Sequence, residues 1–344
     1  MRASVIVVTY NSCRYLPACL GSISDQLGPE DELIVVDNGS SDGSAALVAT
    51  RFPGACLLCG PNTGYAGGNN RGAAAAGGDY LVFLNPDTVL RPGAIAALLA
   101  PLAADPGVGL TTACLLLADR PELVNTCGNT MHYTGLTYCR GAGRPRAAYS
   151  APAEVDAVSG AAFAVRRELF LGLGGFDERF FMYLEDSDLS WRARLAGYRI
   201  RYVPEALVEH HYRMGYSPAK AYYLERNRHL MLLKNLARAT YLRMVPALLL
   251  SELVTGGYLL LRGPRYWAVK PRAYAWLWRN RGSVRAARRR VQALRRHSDA
   301  AVLAGTADHL EFEQLASRWL ATLAGLVFTP AYRLARPVPG ELTP

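Results

Sequence analysis

The sequence lacks the glycine patterns of the two commonest phosphate-binding loops. Its glycine-rich stretch, NTGYAGGNNRG at residues 62–72, contains neither G-x-G-x-x-G nor G-x-x-x-x-G-K-[ST], and it follows the third predicted strand, not the first. These absences exclude a nicotinamide-dinucleotide fingerprint and a P-loop. A glycine-rich approach to a helix N-terminus, with Arg71 close by, still suits contacts to phosphate oxygens.

Paired cysteine motifs are missing as well. The seven cysteines are odd in number and scattered, and the single C-x-x-C of Cys56 and Cys59 has no second pair or nearby histidine to complete a zinc site. Because these two cysteines lie in the apolar run ACLLC, we expect buried thiols in a strand. Cysteine usage of this kind favours a reducing, cytosolic compartment.

Long uninterrupted apolar runs are absent. The N-terminus MRASVIVVTYN becomes polar too soon for a signal peptide and predicts a strand. Residues 244–261 are just within transmembrane length, but Pro246, Glu252 and the pair Gly256-Gly257 interrupt them. An interfacial or core-packed helical hairpin is therefore favoured over a membrane span.

Acidic residues are missing from residues 262–296, which carry twelve Lys or Arg side chains. Removing these charges from the total of +10 leaves the rest of the chain at about −2. Interleaved Trp and Tyr side chains suit the headgroup layer of an anionic membrane. They also suit single-stranded nucleic acid, which nothing else in the chain supports, and a solvated basic helix is the remaining alternative.

Apolar and helical segments alternate over the first 115 residues. Strands are predicted at residues 4–9, 33–37, 55–59, 80–84 and 108–114, and helices at 12–26, 44–52, 66–76 and 92–103. This order predicts a mostly parallel α/β sheet with helices on both faces. After a looser stretch, a helix at 185–196, strands at 198–203 and 206–209 and a long helix at 217–235 are expected, with a domain boundary near residue 240.

Three polar clusters follow predicted strands: Thr9-Tyr10-Asn11, Asp37-Asn38-Gly39 and Asn85-Pro86-Asp87. Ligands of parallel α/β sheets bind at the carboxyl ends of the strands, so these clusters predict one site at one edge. Asp37 suits hydrogen bonds from a ribose or base, and Asp87 suits a metal or a sugar. Asx turns and ordinary Asn-Pro-Asp turn chemistry are the alternatives.

A second acidic cluster begins the helix predicted at 185–196. Glu185, Asp186 and Asp188 fall in its first turn, where acidic residues are favoured, and Asp188 also has an i,i+4 partner in Arg192. These two effects account for Glu185 and Asp188 without a catalytic role. Neither explanation needs Asp186, which points to a different face of the helix from Asp188, and Asp186 is the predicted general base. Further on, VEHH ends a strand with His210 and His211, of which one at most faces the cleft. An Asp with a His suits Mg²⁺ or Mn²⁺.

These motifs, together with SGAAFAVRRELF and GGFDERFFMYLEDSDLSWRARLAGY, occur in an order that resembles the family 2 glycosyltransferases, in particular the bacterial rhamnosyltransferase-like group. The resemblance covers roughly residues 3–236. It implies a GT-A fold, with a nucleotide-sugar half at 1–115 and an acceptor half at 116–240. A helical, basic, membrane-associated region would occupy 241–344.

The resemblance also implies a role for each candidate. Asp87 and His210 would hold Mg²⁺ or Mn²⁺, although the D-x-D motif keeps only its last acid here. Asp186 would be the base of an inverting transfer. The residues implied on the nucleotide-sugar side are Thr9, Tyr10, Asn11, Asp37, Asn62, Gly68, Asn70, Arg71 and Asn85. Those implied on the acceptor side or in support are Gly160, Glu185 and Asp188.

The implied reaction moves a sugar from a nucleotide-diphosphate donor, dTDP-rhamnose before UDP-hexose, to a glycan or polyprenyl-linked acceptor in cell-surface polysaccharide synthesis. The expected location is cytoplasmic, peripheral on the inner face of the plasma membrane, with residues 262–296 on the anionic surface. No nucleic-acid partner is expected, and a homo-oligomer is left open. The alternative is a non-catalytic scaffold subunit that binds sugar nucleotides.

Overall fold

The computed structural model describes residues 2–212, 215–310 and 318–336, with backbone only for residues 318–325. The strands are β1 Ala3–Thr9, β2 Glu32–Asp37, β3 Cys56–Cys59, β4 Tyr80–Leu84, β5 Thr88–Leu90, β6 Val108–Leu117, β7 Arg120–Thr126, β8 Asn129–Met131, β9 Thr137–Cys139, β10 Ala153–Glu154, β11 Ala162–Arg166 and β12 Arg199–His210.

The helices are α1 Leu16–Ser24, α2 Ser44–Arg51, α3 Gly64–Ala75, α4 Ala94–Ala104, α5 Arg167–Gly172, α6 Glu185–Leu195, α7 Pro218–Asn235, α8 Arg238–Arg243, α9 Val245–Leu261, α10 Pro264–Trp267, α11 Val269–Arg279, α12 Arg281–Ala293, α13 Asp299–Leu303 and α14 Arg318–Ala335. Short 3₁₀ turns lie at Arg146–Tyr149 and Glu178–Phe180.

The chain forms two compact units. The first takes its described residues from Met1–Asn129, Cys139–Ala193 and Tyr198–Arg213, and the second from Thr130–Tyr138, Arg194–Gly197 and Met214–Pro344. The second unit therefore begins ahead of the boundary expected near residue 240. The reason is that α7 packs against α11 and α12.

The first unit is built on a ten-stranded mixed sheet in the order β10-β12-β6-β11-β4-β1-β2-β3, with β5 added to β12 and β7 to β6. Strands β4, β1, β2 and β3 are parallel neighbours, as the alternating pattern predicted. Strand β11 lies antiparallel between β4 and β6, so these two strands are not neighbours. Because β12 pairs with both β6 and the short β5, it continues as one bulged strand where two had been predicted.

Alternating residues of the parallel strands bury two faces. On one face, Val5 and Val7 of β1 join the apolar side of α1 and α4 in one buried cluster. On the other face, Ile6 approaches α3, where a Cβ on Gly72 would lie 2.5 Å from Ile6 Cγ2. Glycines in α3 therefore allow the helix to lie directly on β1, at the edge that carries Thr9.

The sheet edge at β3 corrects one expectation. The side chains of Cys56 and Cys59 are exposed, not buried. Among the described residues, strand β3 has a neighbour on one side only, β2, and its burial pattern is exposed at both ends. An apolar sequence run therefore indicated a strand correctly but not its place at the edge of the sheet.

In the second unit, α7 contacts α10, α11 and α12. Its buried Arg228 and Glu225 pair with Glu252 of α9 and Lys270 of α11, at 2.7 Å for Lys270 Nζ–Glu225 Oε2 and 2.6 Å for Lys270 Nζ–Glu252 Oε2. The acid that interrupts the apolar stretch 244–261 is thus part of a buried ion network. In the part of the chain that the structure describes, no helix has the length and apolar character to cross a membrane.

Candidate active site

Strands β4 and β12 deliver two candidate metal ligands to one place. Asp87 follows the end of β4, and its Oδ1 lies 3.3 Å from Nε2 of His210, the last residue of β12. The backbone N–H of His211 donates to the Asp87 carbonyl at 2.9 Å, which locks the strand end to the turn. His210 is buried and His211 is exposed against the Tyr15 ring, so one histidine of the pair faces Asp87, as strand alternation predicted.

The orientation of the His210 ring is set by Asn125 of β7. Asn125 Oδ1 lies 2.9 Å from His210 Nδ1 and accepts its proton, which leaves the Nε2 lone pair directed toward the Asp87 carboxylate. Two electron-rich atoms at 3.3 Å require a cation or a proton between them. Asn125 was not singled out from the sequence, because it lies in the looser stretch, residues 115–155, where loops and short antiparallel strands were expected.

The Asp87–His210 pair fits a divalent metal by its own geometry. Two adjacent ligands of an octahedral ion, each at about 2.1 Å, lie about 3 Å apart. A carboxylate oxygen and an imidazole nitrogen are ligands that Mn²⁺ and Mg²⁺ accept. The Asp87 side chain is 28% exposed, so the remaining coordination positions are open to oxygen atoms of a ligand.

The predicted base, Asp186, is held at the start of α6. Its Oδ2 accepts a hydrogen bond from Gly160 N at 2.8 Å, and its Oδ1 accepts from Ser187 N at 2.6 Å. Burial raises the pKa of Asp186, and these donors oppose the rise. A half-buried carboxylate with a raised pKa and a fixed orientation is suited to proton abstraction.

Glu185, next to Asp186, is more deeply buried and has fewer hydrogen-bond donors around its carboxyl group. Its side chain is buried, and Oε2 has no hydrogen-bond partner within the described residues. Burial, and then the charge of Asp186, raise its pKa well above the ordinary value. Asp186 has N–H donors that oppose the rise of its pKa, whereas Glu185 Oε2 lacks them, so protonation is favoured at Glu185 over Asp186.

The backbone before this carboxylate pair is strained. Phe181, Tyr183 and Leu184 all have φ between 62° and 68°, a region that non-glycine residues rarely occupy. The segment is fastened to α3, because Ala66 N donates to the Phe181 carbonyl at 3.2 Å. A Cβ on Gly64 would lie 2.2 Å from that same oxygen. Strain of this kind clusters at functional sites, and the residue types in this segment do not indicate it.

A series of hydrogen bonds connects Asp186, the predicted base, to the turn that carries Asp87. Gly160 N binds Asp186, and the neighbouring Ala161 carbonyl accepts from Asn85 N at 3.0 Å. The Asn85 carbonyl in turn accepts from Thr88 Oγ1 at 2.7 Å and closes the turn that carries Asp87. Tyr65 OH donates to the Gly160 carbonyl at 2.6 Å and fixes this path from the side of α3. Tyr65 lies in a motif noted in the sequence but was not itself selected.

The ends of β1 and β2 leave two buried acceptors unused. Thr9 pairs in register with Asp37, and both side chains are buried. Asp37 Oδ2 accepts from the N–H groups of Gly39 and Ser40, but Asp37 Oδ1 and Thr9 Oγ1 have no partner in the described residues. Such orphaned atoms suit a ligand that donates N–H or O–H groups. Tyr10 is half exposed beside them.

Most of the other nucleotide-side candidates support the loops around this edge. Asn11 Oδ1 accepts from Ser41 N at 2.8 Å, and Asn62 Oδ1 accepts from Gly64 N at 2.9 Å. Asn70 Nδ2 donates to the Phe176 carbonyl at 2.9 Å, and Arg71 Nη2 donates to the carbonyls of Leu58 and Asp37.

Two further candidates have structural surroundings of their own. A Cβ on Gly68 would lie 2.7 Å from Val8 Cγ1, so this glycine permits close packing of α3 on β1. Asp188 is fully buried and pairs with Arg192 at 2.9 Å, which confirms the predicted i,i+4 contact. The Arg192 guanidinium also donates to the carbonyls of Leu173 and Gly175, so Asp188 supports the segment that leads to α6.

A second group of metal-type side chains occurs in the second unit, where Glu225, His229 and Glu252 lie within 4.8 Å of one another. It does not fit a metal ion. Arg228 and Lys270 already contact both carboxylates, and two cations in contact with the ligands repel a third. Of the two groups, the Asp87–His210 pair is the one open to a metal.

Comparisons with known proteins bear on the family and the fold of the chain. The model of "Glycosyl transferase family 2" matches residues 4–115, and that of "Glycosyl transferase family group 2" matches residues 80–294. The chain is 34% identical over 232 residues to the N-acetylglucosaminyl-diphospho-decaprenol L-rhamnosyltransferase of Mycobacterium tuberculosis, covering 60% of this chain and 75% of the relative.

Solved structures resemble the chain at lower identity. GalNAc-T7 with UDP, GalNAc and Mn²⁺ superposes with a TM-score of 0.60 at 17% identity, covering 80% of this chain and 54% of that one. The mannosyltransferase of Pyrobaculum calidifontis with GDP-Man and Mn²⁺ gives 0.51 at 19% identity, covering 85% and 86%. The fold is therefore that of the GT-A glycosyltransferases.

With this fold and these matches, the protein is a glycosyltransferase. It belongs to glycosyltransferase family 2, in which its similarity to a rhamnosyltransferase confirms the group expected from the motifs.

Proposed function

We propose that this glycosyltransferase moves a sugar from a nucleotide-diphosphate donor to a lipid-linked acceptor, with inversion at the anomeric carbon and with Mn²⁺ or Mg²⁺ held by Asp87 and His210. The observation that carries the proposal is the 3.3 Å separation of Asp87 Oδ1 and His210 Nε2, with the other ring nitrogen occupied by Asn125. This arrangement is a pair of metal ligands with the imidazole tautomer already set.

The edge formed by β1, β2 and β4 supports the donor half of the proposal. Thr9 Oγ1 and Asp37 Oδ1 present unused acceptors to the N–H or O–H groups of a nucleoside, and the exposed Tyr10 ring offers a stacking surface. A bound metal would neutralise the diphosphate leaving group. Asn85 and the turn it closes hold the Asp87 carboxylate in position for that role.

Asp186 is the proposed base. As an ionised carboxylate it accepts the proton of an acceptor hydroxyl, and its pKa, raised by burial, increases its basicity. Glu185 keeps a proton and does not compete for this role, since its own pKa is raised further by burial and by Asp186. One base and one displacement give inversion.

The donor sugar and the acceptor follow from the relative. A rhamnosyltransferase at 34% identity favours dTDP-rhamnose as the donor ahead of a UDP-hexose, and a diphospho-decaprenol substrate in that relative's name favours a polyprenyl-diphosphate acceptor in cell-wall polysaccharide synthesis. Lys and Arg side chains at 262–296 support a place on an anionic membrane surface.

Exposed apolar side chains in the second unit add support for membrane contact. Leu249, Leu253 and Leu260 of α9 are between 61% and 66% exposed, and Trp267 and Trp278 are 57% and 69% exposed. Leucines next to tryptophans and a basic segment are typical of helices that lie in the interface of a membrane. The proposed location is peripheral, on the inner face of the plasma membrane.

A donor panel tests the proposal. The purified chain is incubated with dTDP-rhamnose, UDP-glucose, UDP-GlcNAc or GDP-mannose, with a polyprenyl-diphosphate N-acetylglucosamine acceptor, and with MnCl₂ or EDTA. We expect transfer from one donor, with loss of activity in EDTA and return of activity with Mn²⁺ or Mg²⁺. The anomeric configuration of the product, read by NMR, is expected to be opposite to that of the donor.

Glu209→Gln is the control for charge loss at the end of β12. Glu209 precedes His210 but pairs with Arg91 at the surface, at 2.9 Å, so its removal is expected to change activity less than about twofold. Asp87→Ala is expected to abolish the metal-dependent turnover. Transfer that persists in EDTA, or an Asp87→Ala variant as active as Glu209→Gln, would contradict the metal assignment.

A further inference from the structure

Arginine side chains surround a pocket in the second unit that has no role in the chemistry proposed above. The pocket has a volume of about 330 Å³ and is lined by Arg238, Arg285, Arg288, Arg289 and Gln292. This volume falls at the lower end of the range of small-molecule sites. Such convergence of guanidinium groups on one cavity is a chemical signal that a scattered basic surface does not give.

The pocket is built by one face of α12 and the start of α8. Residues 285, 288, 289 and 292 recur at the i, i+3, i+4 and i+7 spacing that puts side chains on one side of a helix. Gln292 Nε2 donates to the Asn235 carbonyl at 2.9 Å, and Arg288 Nη1 donates to the Leu233 carbonyl at 2.6 Å. These bonds fix α12 to the end of α7, so the backbone that carries most of the lining side chains is held in place.

Three of the four lining arginines have no carboxylate partner in the part of the chain that the structure describes. Within the described residues, Arg238, Arg285 and Arg289 have no ion pair or side-chain hydrogen bond. Asp299 is committed elsewhere, because its two oxygens accept from Arg295 Nη1 at 2.8 Å and from Ala237 N at 2.7 Å.

The behaviour of Arg288 agrees with this surplus of charge. Its pKa is lowered, first by burial and then by the charges of Arg238 and Arg295, against the smaller effect of Asp299. Like charges at i,i+4, as in Arg285 and Arg289, also weaken a helix. The fold therefore carries an electrostatic cost that an anion in the pocket would remove.

We propose that this pocket is a binding site for a multivalent phosphoryl group, held by bidentate hydrogen bonds from Arg238, Arg285, Arg288 and Arg289. A diphosphate has the charge to neutralise several guanidinium groups at once, and guanidinium matches phosphate oxygens in geometry. The same chemistry occurs in a free diphosphate and in a lipid-diphosphate headgroup. The site is separate from the donor site at Asp87.

Calorimetric titration of the full chain with inorganic pyrophosphate, in EDTA, tests the site. EDTA removes the metal on which diphosphate binding at Asp87 and His210 depends, and the same titration of Asp87→Ala checks this. We expect saturable binding that is equal in the wild type and in Asp87→Ala. The double variant Arg285→Gln/Arg289→Gln is expected to bind at least about tenfold more weakly.

The matched control is Arg279→Gln/Arg290→Gln. Both of these arginines are exposed, lie on α11 and α12 and stand outside the pocket, so the control removes the same net charge. Its affinity for pyrophosphate is expected to stay within about twofold of the wild type. Equal losses in the two double variants, or no saturable binding by the wild type, would overturn the proposal, because diffuse charge or no site would then explain the data.

Two further measurements complete the test. Arg285→Gln/Arg289→Gln is expected to melt at the same or a higher temperature than the wild type, since it removes repulsion. Should it unfold, Arg285→Lys/Arg289→Lys keeps the charge and is expected to bind with intermediate affinity. Competition by phosphatidylcholine vesicles that contain a polyprenyl diphosphate, but not by phosphatidylcholine vesicles alone, would assign the phosphoryl group to a lipid headgroup. Pyrophosphate binding without such competition would assign it to a soluble phosphate.

Discussion

The proposed metal site depends on a residue that is not itself a ligand. Asn125 accepts from His210 Nδ1 and thereby presents Nε2 to Asp87. Loss of such a partner of a metal-bound histidine costs about 10–100-fold in metal affinity. We therefore predict that Asn125→Ala raises the Mn²⁺ concentration needed for half-maximal activity by that factor, with a smaller change in kcat at saturating Mn²⁺.

Titration of activity against Mn²⁺ measures the half-saturating metal concentration and the kcat at saturating metal separately. Asn125→Asp restores an acceptor for Nδ1–H and is expected to recover most of the metal affinity, which a merely structural role for Asn125 does not predict. A drop in kcat at saturating metal, with the half-saturating concentration unchanged, would show that Asn125 does not position the ligand.

Glu185 gives a second prediction at the scale of the residue, on the dependence of stability on pH. Its folded pKa lies well above the ordinary value of 4.5 because of burial and of Asp186. The folded state therefore keeps a proton that the unfolded state releases, and stability is lost as pH rises from 4.5 through the folded pKa. Because glutamine does not titrate, Glu185→Gln removes this pH-dependent loss of stability.

The expected result is a variant no more stable than the wild type near about pH 4 and increasingly more stable above it, by up to about 1.4 kcal/mol per pH unit in that window. Urea denaturation of both proteins at a series of pH values measures the difference. A difference that stays constant with pH, or that falls as pH rises, would mean that Glu185 is not held protonated by the fold.

Helix α3 makes a prediction at the scale of the element. A Cβ at Gly68 would lie 2.7 Å from Val8 Cγ1 and 2.9 Å from Asn38 Nδ2, so Gly68→Ala pushes α3 away from β1. Overpacking of this kind costs about 1–3 kcal/mol. Because α3 also carries Tyr65, which holds Gly160, activity is expected to fall more than stability alone explains.

Gly21→Ala in α1 is the matched control. No atom lies within 4 Å of a Cβ at Gly21, so the alanine adds helix propensity without a clash. We expect this variant to be more stable by about 0.5–1 kcal/mol and fully active. If both variants change stability in the same direction, close packing is not the reason for glycine at position 68.

The elements of the first unit show what the sequence was able to predict. Strands β1 to β4 and helices α1 to α4 are confirmed, because their alternating apolar pattern reports local burial. The antiparallel β11 between β4 and β6 was not predicted, since strand order depends on contacts far apart in sequence. The exposure of Cys56 and Cys59 was missed for the same reason.

Some residues of the candidate site could be selected from the sequence, and others only from the structure. Asp87, Asp186 and the pair His210-His211 were candidates because a carboxylate or histidine at a strand or helix end is visible in the sequence. Asn125 was not found, since nothing near it in the chain reveals that its side chain meets His210. The positive φ angles before α6 were equally hidden, because the residues concerned are ordinary apolar side chains.

For the whole molecule, the proposed membrane contact predicts that vesicles bind at the exposed leucines of α9. Leu249 and Leu253 are 63% and 66% exposed on α9. We predict that Leu249→Glu/Leu253→Glu lowers co-sedimentation with phosphatidylglycerol vesicles by at least about tenfold, because charges there oppose burial in the interface. Leu171→Glu, at an exposed leucine of the first unit, is the control and is expected to bind vesicles like the wild type.

Equal loss of vesicle binding in Leu171→Glu would show that the contact is not located on α9. Binding that survives in the α9 double variant but disappears at high salt would assign the contact to the basic segment alone.

The central claim is that Asp87 with His210 binds the donor and Asp186 performs the proton transfer. The most direct test measures donor binding and single-turnover transfer separately, in Mn²⁺, for the wild type, Asp87→Ala and Asp186→Asn. The account predicts that Asp186→Asn binds the donor like the wild type but transfers about 10²–10⁴-fold more slowly, while Asp87→Ala loses metal-dependent binding itself. Wild-type transfer by Asp186→Asn, or unchanged binding by Asp87→Ala, would contradict it.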